Sequence, residues 1–292
     1  MITIFTIPKP FKGHINTIQR NAIQSWMQLK PECEIILFGD DYGVSDIAKE
    51  FGLSHIPVIQ KNQYGTPLLS STFDLVQEYS KNETLIFSNA DIIFFQDLIK
   101  TINNINISPY LISGRRYNFN VEDEINFQKI HNLFDLQANL KQDGELHNIS
   151  GKDYFIFKKG TVQMRPFAVG RVFWDDWLLF HMRQNNIPII NATNSINVIH
   201  QNHDYKHSKY GKKTRVWGPE MDYNLNVLGN RTNILSLRDA DFVIMDRLIK
   251  RPKLLYRIYN LLSYYYIWRL LMSIKSKLAL FVKKYLISSG LK

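Results

Sequence analysis

Apolar and polar positions alternate along the first half of the chain in short apolar runs and longer amphipathic stretches. Ile2 to Ile7, Glu34 to Phe38 and Ile56 to Ile59 read as strands. Between them, Ile15 to Leu29 and Ser45 to Phe51 carry apolar residues at helical spacing. A further helix is predicted over Thr66 to Tyr79, with Pro67 suited to a first turn and Leu69, Phe73 and Val76 as its buried stripe. Strands alternating with helices argue for an α/β sheet.

Leu85-Ile86-Phe87 comes next, then Asn89-Ala90-Asp91, then Ile92 to Phe95, a layout that predicts one buried strand interrupted by a carboxylate. A strand covered on both faces is near-continuously apolar, so an amide and a carboxylate two positions apart must be partnered or neutralised. Alternation puts Asn89 and Asp91 on one side, where oxygen ligands suit Mg2+ or Mn2+ carrying substrate phosphates. Farther on, Tyr110 to Ser113, Asp153 to Phe157, Ile187 to Ile190 and Ile196 to Ile199 read as strands, and Asp175 to Arg183 as a short helix. Gly114 to Gly151 is charged and Asn-rich without a strict period, and is read as an acceptor-side elaboration. No internal repeat interrupts the chain.

With 292 residues, 45% hydrophobic and 21% charged, the chain has the composition of a folded protein with a large core, which excludes disorder as the default. The single cysteine, Cys33, excludes an intramolecular disulfide and a thiolate metal cluster, and reads as a small core residue. No basic n-region or small-residue cleavage site precedes the first strand, so a cytoplasmic location is expected. The net charge of +10 is unevenly held: residues 250–292 contain ten Lys or Arg and no Asp or Glu, leaving 26 basic against 26 acidic residues elsewhere. In that tail Leu254, Ile258, Leu261, Tyr265, Trp268 and Met272 fall at helical spacing. Two regions are therefore expected, a catalytic domain over 1–245 and a basic amphipathic helical tail over 246–292. No charge-free apolar run approaches the ~18 residues of a spanning helix. Basic residues with Tyr and Trp suit the inner leaflet of the cell membrane, where each Lys or Arg adds on the order of 1 kcal/mol. A helix packed on the domain or on a second subunit is the alternative.

Five pieces in order, Thr6-Ile7-Pro8-Lys9-Pro10-Phe11, Phe38-Gly39-Asp40, Gly65-Thr66-Pro67, Asn89-Ala90-Asp91 and Trp174-Asp175-Asp176-Trp177, carry a resemblance. Over roughly the first 230 residues the chain resembles GT-A type nucleotide-sugar glycosyltransferases, in particular bacterial family-2-like enzymes with Asn-Ala-Asp in place of Asp-x-Asp. The resemblance implies a GT-A fold, a Rossmann-like mixed sheet flanked by helices. It implies transfer of a sugar from a nucleoside diphosphate donor, a UDP-sugar being favoured, to a glycan or lipid-linked acceptor in cell-surface polysaccharide synthesis. Thr6, Pro8, Lys9 and Asp40 would hold the nucleotide, as open sheets bind ligands beyond the carboxyl ends of their strands. Gly65 and Thr66 stand at a predicted helix N-terminus whose amides favour anions, although an ordinary helix start with Thr66 as N-cap is the commoner use of such a segment, and both can hold at once. Asp91 would ligate Mn2+ or Mg2+ directly, with Asn89 assisting.

Asp175 and Asp176 form an acidic pair at a helix start, and a partly desolvated pair can supply a general base. The resemblance implies that one of them deprotonates the acceptor hydroxyl in an inverting reaction, Asp175 being favoured. The flanking tryptophans fit a sugar-stacking platform or core packing equally. Three of the chain's eight histidines, His200, His203 and His207, fall within Ile199 to His207 beside Asp204 and Tyr205, and His200 and His203 are the candidates to complete the metal shell. Lys206, Lys209, Lys212, Lys213 and Arg215, with Gly211, read as a basic loop suited to phosphates. Trp217 to Glu220 and Asn224 follow it as contacts to acceptor or donor.

Two rivals come from other classes. A metal-dependent phosphoesterase would gather Asp91, Asp175, Asp204 and the histidines around two ions. A non-catalytic binder would use the basic tail on nucleic acid or membrane. The neutral body and apolar, aromatic tail favour a membrane face, and no nucleic-acid partner is expected.

Overall fold

The computed structural model of the chain describes residues 1–127, 129–203, 218–245 and 248–250. Its first strands follow the apolar runs: β1 (Ile2–Thr6), β2 (Glu34–Phe38) and β3 (Ser54–Ile56), separated by α1 (Gly13–Met27) and α2 (Val44–Phe51). Then come α3 (Leu69–Tyr79), β4 (Thr84–Ser88), β5 (Ile92–Phe94), α4 (Asp97–Asn103), β6 (Leu111–Ser113), β7 (Tyr117–Phe119), α5 (Ile130–Asp143) and β8 (Glu145–Leu146). The remainder is β9 (Tyr154–Lys158), α6 (Trp174–Gln184), β10 (Ile189–Asn191), β11 (Val198–Gln201), α7 (Pro219–Leu228), β12 (Phe242–Met245) and β13 (Leu248–Lys250). No helix among the described residues is long and apolar enough to cross a membrane.

These strands form two sheets, one of nine strands in the order β13-β12-β10-β6-β9-β4-β1-β2-β3 and one of four in the order β5-β11-β7-β8. This overturns the expected GT-A fold with its one Rossmann-like mixed sheet, and with it the assignment to the family-2-like GT-A group. Ile92 to Phe95, read as the continuation of the Leu85–Phe87 strand, leaves the large sheet: β5 pairs antiparallel with β11 instead. A turn closed by Ile92 N donating to Asn89 O causes the break. Period-two alternation cannot distinguish a strand that runs on from one that turns into a neighbouring sheet.

In the large sheet β1, β2, β3 and β4 run parallel, and β9 is antiparallel to both β4 and β6. Both faces are covered. Ile2, Ile4, Leu37, Ile86 and Ile156 pack with α1 and α2, while Phe5, Phe38, Phe87 and Phe157 pack with α3 and α6. The second face is aromatic: Phe5 meets Phe73 edge-on at 5.2 Å between ring centroids, and Phe73 stacks on Phe157 at 5.5 Å. Helix α1 also holds the small sheet, since Trp26 Nε1 donates to Ile92 O at 2.8 Å and Phe94 N to Ser25 Oγ at 3.1 Å.

Three local expectations change. Helix α3 begins at Leu69, because the chain turns at Gly65 and Pro67 and Leu68 are then held in bridges to Lys61 and Ala168. The stretch from Gly114 to Gly151 holds β7, α5 and β8, which its polar surface conceals. At the start of the predicted tail, β13 pairs antiparallel with β12, so residues 248–250 belong to the large sheet. The rest of the tail, 251–292, lies outside the described residues.

Candidate functional site

The parallel strands β1, β2 and β4 end together at one edge, with Phe5 level with Phe87 and Thr6 with Leu37. Because β9 is antiparallel, with Ser88 opposite Tyr154, the residues before β9 reach the same edge. That edge collects most of the residues singled out in the sequence.

Asp91 sits in the turn after β4, and β11 brings His200 and His203 to it. His203 Nε2 lies 3.3 Å and His200 Nε2 3.7 Å from Asp91 Oδ2, and one ligand atom from each of the three falls within 4.8 Å of the others. Both backbone N and side-chain Nε2 of Gln201 donate to Asp91 O, at 3.3 and 3.2 Å, which fixes the turn against β11. Burial works against charge on Asp91 but is outweighed by His200, His203 and Lys9, which hold its carboxyl well below the usual range. Burial, against the opposing pull of Asp91, shifts the His200 imidazole below its ordinary value. Asp91 Oδ1 and His200 Nδ1 are both buried without a hydrogen-bond partner among the described residues. Buried polar atoms are ordinarily satisfied, so the orphaned Asp91 Oδ1 beside two imidazoles fits a divalent cation.

Asn89 does not join this cluster. Its Nδ2 donates to Asp153 Oδ1 at 2.7 Å, and the Asp153 Oδ2 atom accepts from Arg116 Nη1 in an ion pair whose side chains are 7% and 8% exposed. Arg116 Nε in turn donates to Asn118 Oδ1 at 3.2 Å. Asp153 and Arg116 escape a sequence reading because one looks like a strand start and the other like a loop charge. Their only sequence signal is a carboxylate directly ahead of the apolar run Tyr154 to Phe157.

Asp175 and Asp176 occupy the first turn of α6, and neither stands free. Lys152 Nζ lies 3.1 Å from Asp175 Oδ2 and 2.8 Å from Asp176 Oδ1. The Lys152 side chain is fully buried, whereas Asp175 and Asp176 remain 15% and 31% exposed. Burial disfavours the ammonium but is outweighed by the two carboxylates, so its pKa is raised. The helix is entered through Phe173 at φ +86°, a left-handed conformation that is strained for a bulky residue and costs on the order of 1–3 kcal/mol. Trp174 and Trp177 are buried, packing on Phe87, Phe155 and Phe167, which resolves their two readings in favour of core packing.

Among the nucleotide candidates, Thr6 ends β1 with its buried Oγ1 unpartnered, and Pro8 is buried. Lys9 is held through its backbone by Gln19, which accepts from Lys9 N at 2.7 Å and donates to Lys9 O at 2.8 Å. Asp40 follows β2 on the surface, where a hydrogen bond from Lys61 at 2.5 Å holds its carboxyl below the usual range. Gly65 is exposed. Thr66 donates its hydroxyl to Glu220 Oε1, and Arg171 binds Glu220 Oε2, joining the Gly65 segment to α7 and to the loop before α6. Asn224 of α7 is structural: it accepts from Ala168 N at 2.8 Å and donates to Ala168 O and Val172 O.

The phosphoesterase grouping includes Asp204, which lies outside the described residues; of its other carboxylates, Asp91 meets the two histidines and Asp175 meets Lys152. Asp204, Tyr205, Lys206, His207, Lys209, Gly211, Lys212, Lys213, Arg215 and Trp217 lie outside the described residues. Half-buried Cys33 is inert, its thiol pushed up to about 11 by burial.

No family model matches the chain, and no curated protein matches it. Among solved structures it is similar to residues 1–349 of S. aureus TarS in complex with UDP-GlcNAc, at 11% identity and a TM-score of 0.49, covering 80% of this chain and 65% of that one. It is also similar to M. tuberculosis glucosyl-3-phosphoglycerate synthase, at 11% identity and a TM-score of 0.47, covering 88% and 92%. The same enzyme in complex with Mg2+ and UDP gives 10% identity and a TM-score of 0.43, covering 78% of each chain. The chain thus spans less than two thirds of the TarS piece. Likenesses at this level carry no argument about function, which rests on the site.

Proposed function

We propose that this chain is a metal-dependent glycosyltransferase that moves a sugar from a nucleoside diphosphate donor to a hydroxyl of a glycan or lipid-linked acceptor. The observation that carries the reading is the cluster of Asp91, His200 and His203, with Asp91 Oδ1 buried and unpartnered among the described residues, at the carboxyl edge of the parallel strands. Two imidazoles and one carboxylate suit Mn2+ better than Mg2+, which prefers oxygen ligands alone. The ion supplies positive charge against which a diphosphate leaves. Lys9, close enough to Asp91 to act on its charge, adds a second cation for the phosphates. Thr6 at the end of β1, with Pro8 and Asp40 beyond β1 and β2, would meet the nucleoside, with Gly65 and Thr66 at the rim.

In the reaction the acceptor oxygen attacks the anomeric carbon as the bond from that carbon to the diphosphate oxygen breaks. The hydroxyl proton passes to a carboxylate of the Asp175 and Asp176 pair, Asp175 being the proposed base, and the nucleoside diphosphate departs. This direct displacement inverts the anomeric centre. Asn89, bonded to Asp153, acts by shaping the turn that presents Asp91. The basic segment 251–292 is proposed to keep the enzyme on an anionic inner membrane face.

Calorimetric titration with UDP, with GDP as comparator, tests this with and without Mn2+ on the unaltered chain and on Asp91→Ala. Metal-dependent nucleotide binding is expected in the first and its loss in the second, with melting curves confirming that both are folded. Absence of binding by either nucleotide under every condition would remove the transferase reading.

A further inference from the structure

The proposed reaction gives Lys152 no role, and its setting is costly. An ammonium taken out of water costs several kcal/mol, and buried ion pairs are often replaceable by apolar residues without loss of stability. Here the ammonium is fully enclosed while both of its partners keep part of their surface open. Such an arrangement does little for the core that an apolar residue would not do as well. It does fix where two carboxylates point at the place they meet solvent.

The neighbouring charges are committed elsewhere. Asp153, next in the chain, is bound by Arg116 and Asn89, and the Glu220 carboxylate is bound by Arg171 and Thr66. Lys152 meets both carboxylates of the α6 pair at once. The α6 backbone is held as well, for Leu235 N donates to Asp176 O at 2.9 Å and Trp177 N to Phe173 O at 2.8 Å. The strained entry at Phe173 adds a second sign that this turn is shaped for a purpose other than packing.

We propose that Lys152 is a positioning residue: its buried ammonium, donating to Asp175 Oδ2 and Asp176 Oδ1 together, aims the α6 carboxylates so that one is oriented toward the acceptor hydroxyl. The inference rests on the proposed reaction. Lys152 keeps its proton throughout; the proton released by the acceptor goes to the carboxylate and then to solvent. Asp175 meets Lys152 through Oδ2 and keeps part of its surface open to solvent, the side from which an acceptor hydroxyl would approach.

The test uses the full chain with Lys152→Met, Lys152→Arg and the charge-balanced double variant Lys152→Met with Asp176→Asn. Two quantities are measured: affinity for UDP with Mn2+, and UDP release from UDP-glucose, UDP-galactose and their N-acetylamino counterparts with water as acceptor. The expected result is nucleotide affinity and donor KM within about twofold of the unaltered chain, with kcat lowered about 100-fold in Lys152→Met and largely restored in Lys152→Arg, a size typical of general-base catalysis. The double variant shows whether a loss follows from misfolding, since it removes the unbalanced charge and should still be slow. Full kcat in folded Lys152→Met would overturn the proposal, as would a loss of nucleotide affinity matching the loss of rate. If the unaltered chain binds no UDP with Mn2+, or binds it and turns over none of the four donors, the transferase reading fails first and takes the role of Lys152 with it.

Discussion

Asp97 shows how one side chain can be both well bonded and badly placed. Its Oδ2 accepts from Asn197 N at 3.1 Å, Asn197 Nδ2 at 2.7 Å and Gln137 Nε2 at 2.9 Å, whereas Oδ1 is buried with no hydrogen bond. Burial is the largest influence and raises its pKa in spite of those donors. With the folded value above the unfolded one, the stability Asp97 contributes is complete below the unfolded value and is lost as pH rises through the folded one. Asp97→Asn, which keeps an acceptor for the three donors and carries no charge, is expected to raise the melting temperature by a few degrees at pH 7. The gain should vanish below about pH 3.9, where the unfolded carboxyl also becomes neutral. A thermal melt of both chains at the two pH values checks it, and equal melting temperatures at pH 7 would refute the account. The same arithmetic underlies the candidate site, where partners outweigh burial at Asp91 and at Lys152.

At the scale of elements, α1 is the part that joins the core to the site. Its Asn21 is fully buried, donating Nδ2 to Gln201 Oε1 at 3.1 Å and to Asp123 O at 3.0 Å, and accepting from Ile125 N at 2.8 Å. Gln201 then donates to Ile18 O and to Asp91 O. A helix, the β11 strand that carries His200 and the turn that carries Asp91 are thus locked by two amide side chains. Asn21→Ala leaves the Ile125 N–H and the Gln201 amide oxygen unpaired, at about 1–3 kcal/mol for each buried group. Denaturant titration should show a loss of roughly 2–4 kcal/mol. Because the Asp91 turn loosens, Mn2+ affinity measured on the folded variant should fall as well; an unchanged affinity would mean that β11 is held without α1. The sequence does not reveal this link, since Asn21 inside a predicted helix reads as its solvent face and Gln201 lies past the end of the predicted Ile196 to Ile199 strand.

For the whole molecule, charge is divided along the sequence, with a neutral body and a tail holding the entire +10. Anionic lipid attracts each surface Lys or Arg by roughly 1 kcal/mol. Replacing Lys275, Lys277, Lys283 and Lys284 by Gln should therefore weaken partition onto phosphatidylserine vesicles by roughly 4 kcal/mol, on the order of a thousandfold. Raised salt should have a similar effect on the unaltered chain. Co-sedimentation measures both, and equal binding to neutral phosphatidylcholine vesicles would dismiss the electrostatic account.

The sequence by itself determined the elements whose apolar pattern is their own: β1, β2, α1, α2, β4 and α6 stand within a few residues of the runs that mark them. It also singled out Asp91, His200 and His203, because a carboxylate among apolar neighbours and a histidine cluster are rare enough to notice in one dimension. Only the tertiary structure decided that Ile92 to Phe94 turns into a second sheet, since local alternation is the same on either path. Only it could pair Asn89 with Asp153, or place Lys152 between Asp175 and Asp176. Those contacts join residues up to 64 positions apart. Their physical cause is the need of each buried charge for a partner, which acts through space and leaves no period along the chain.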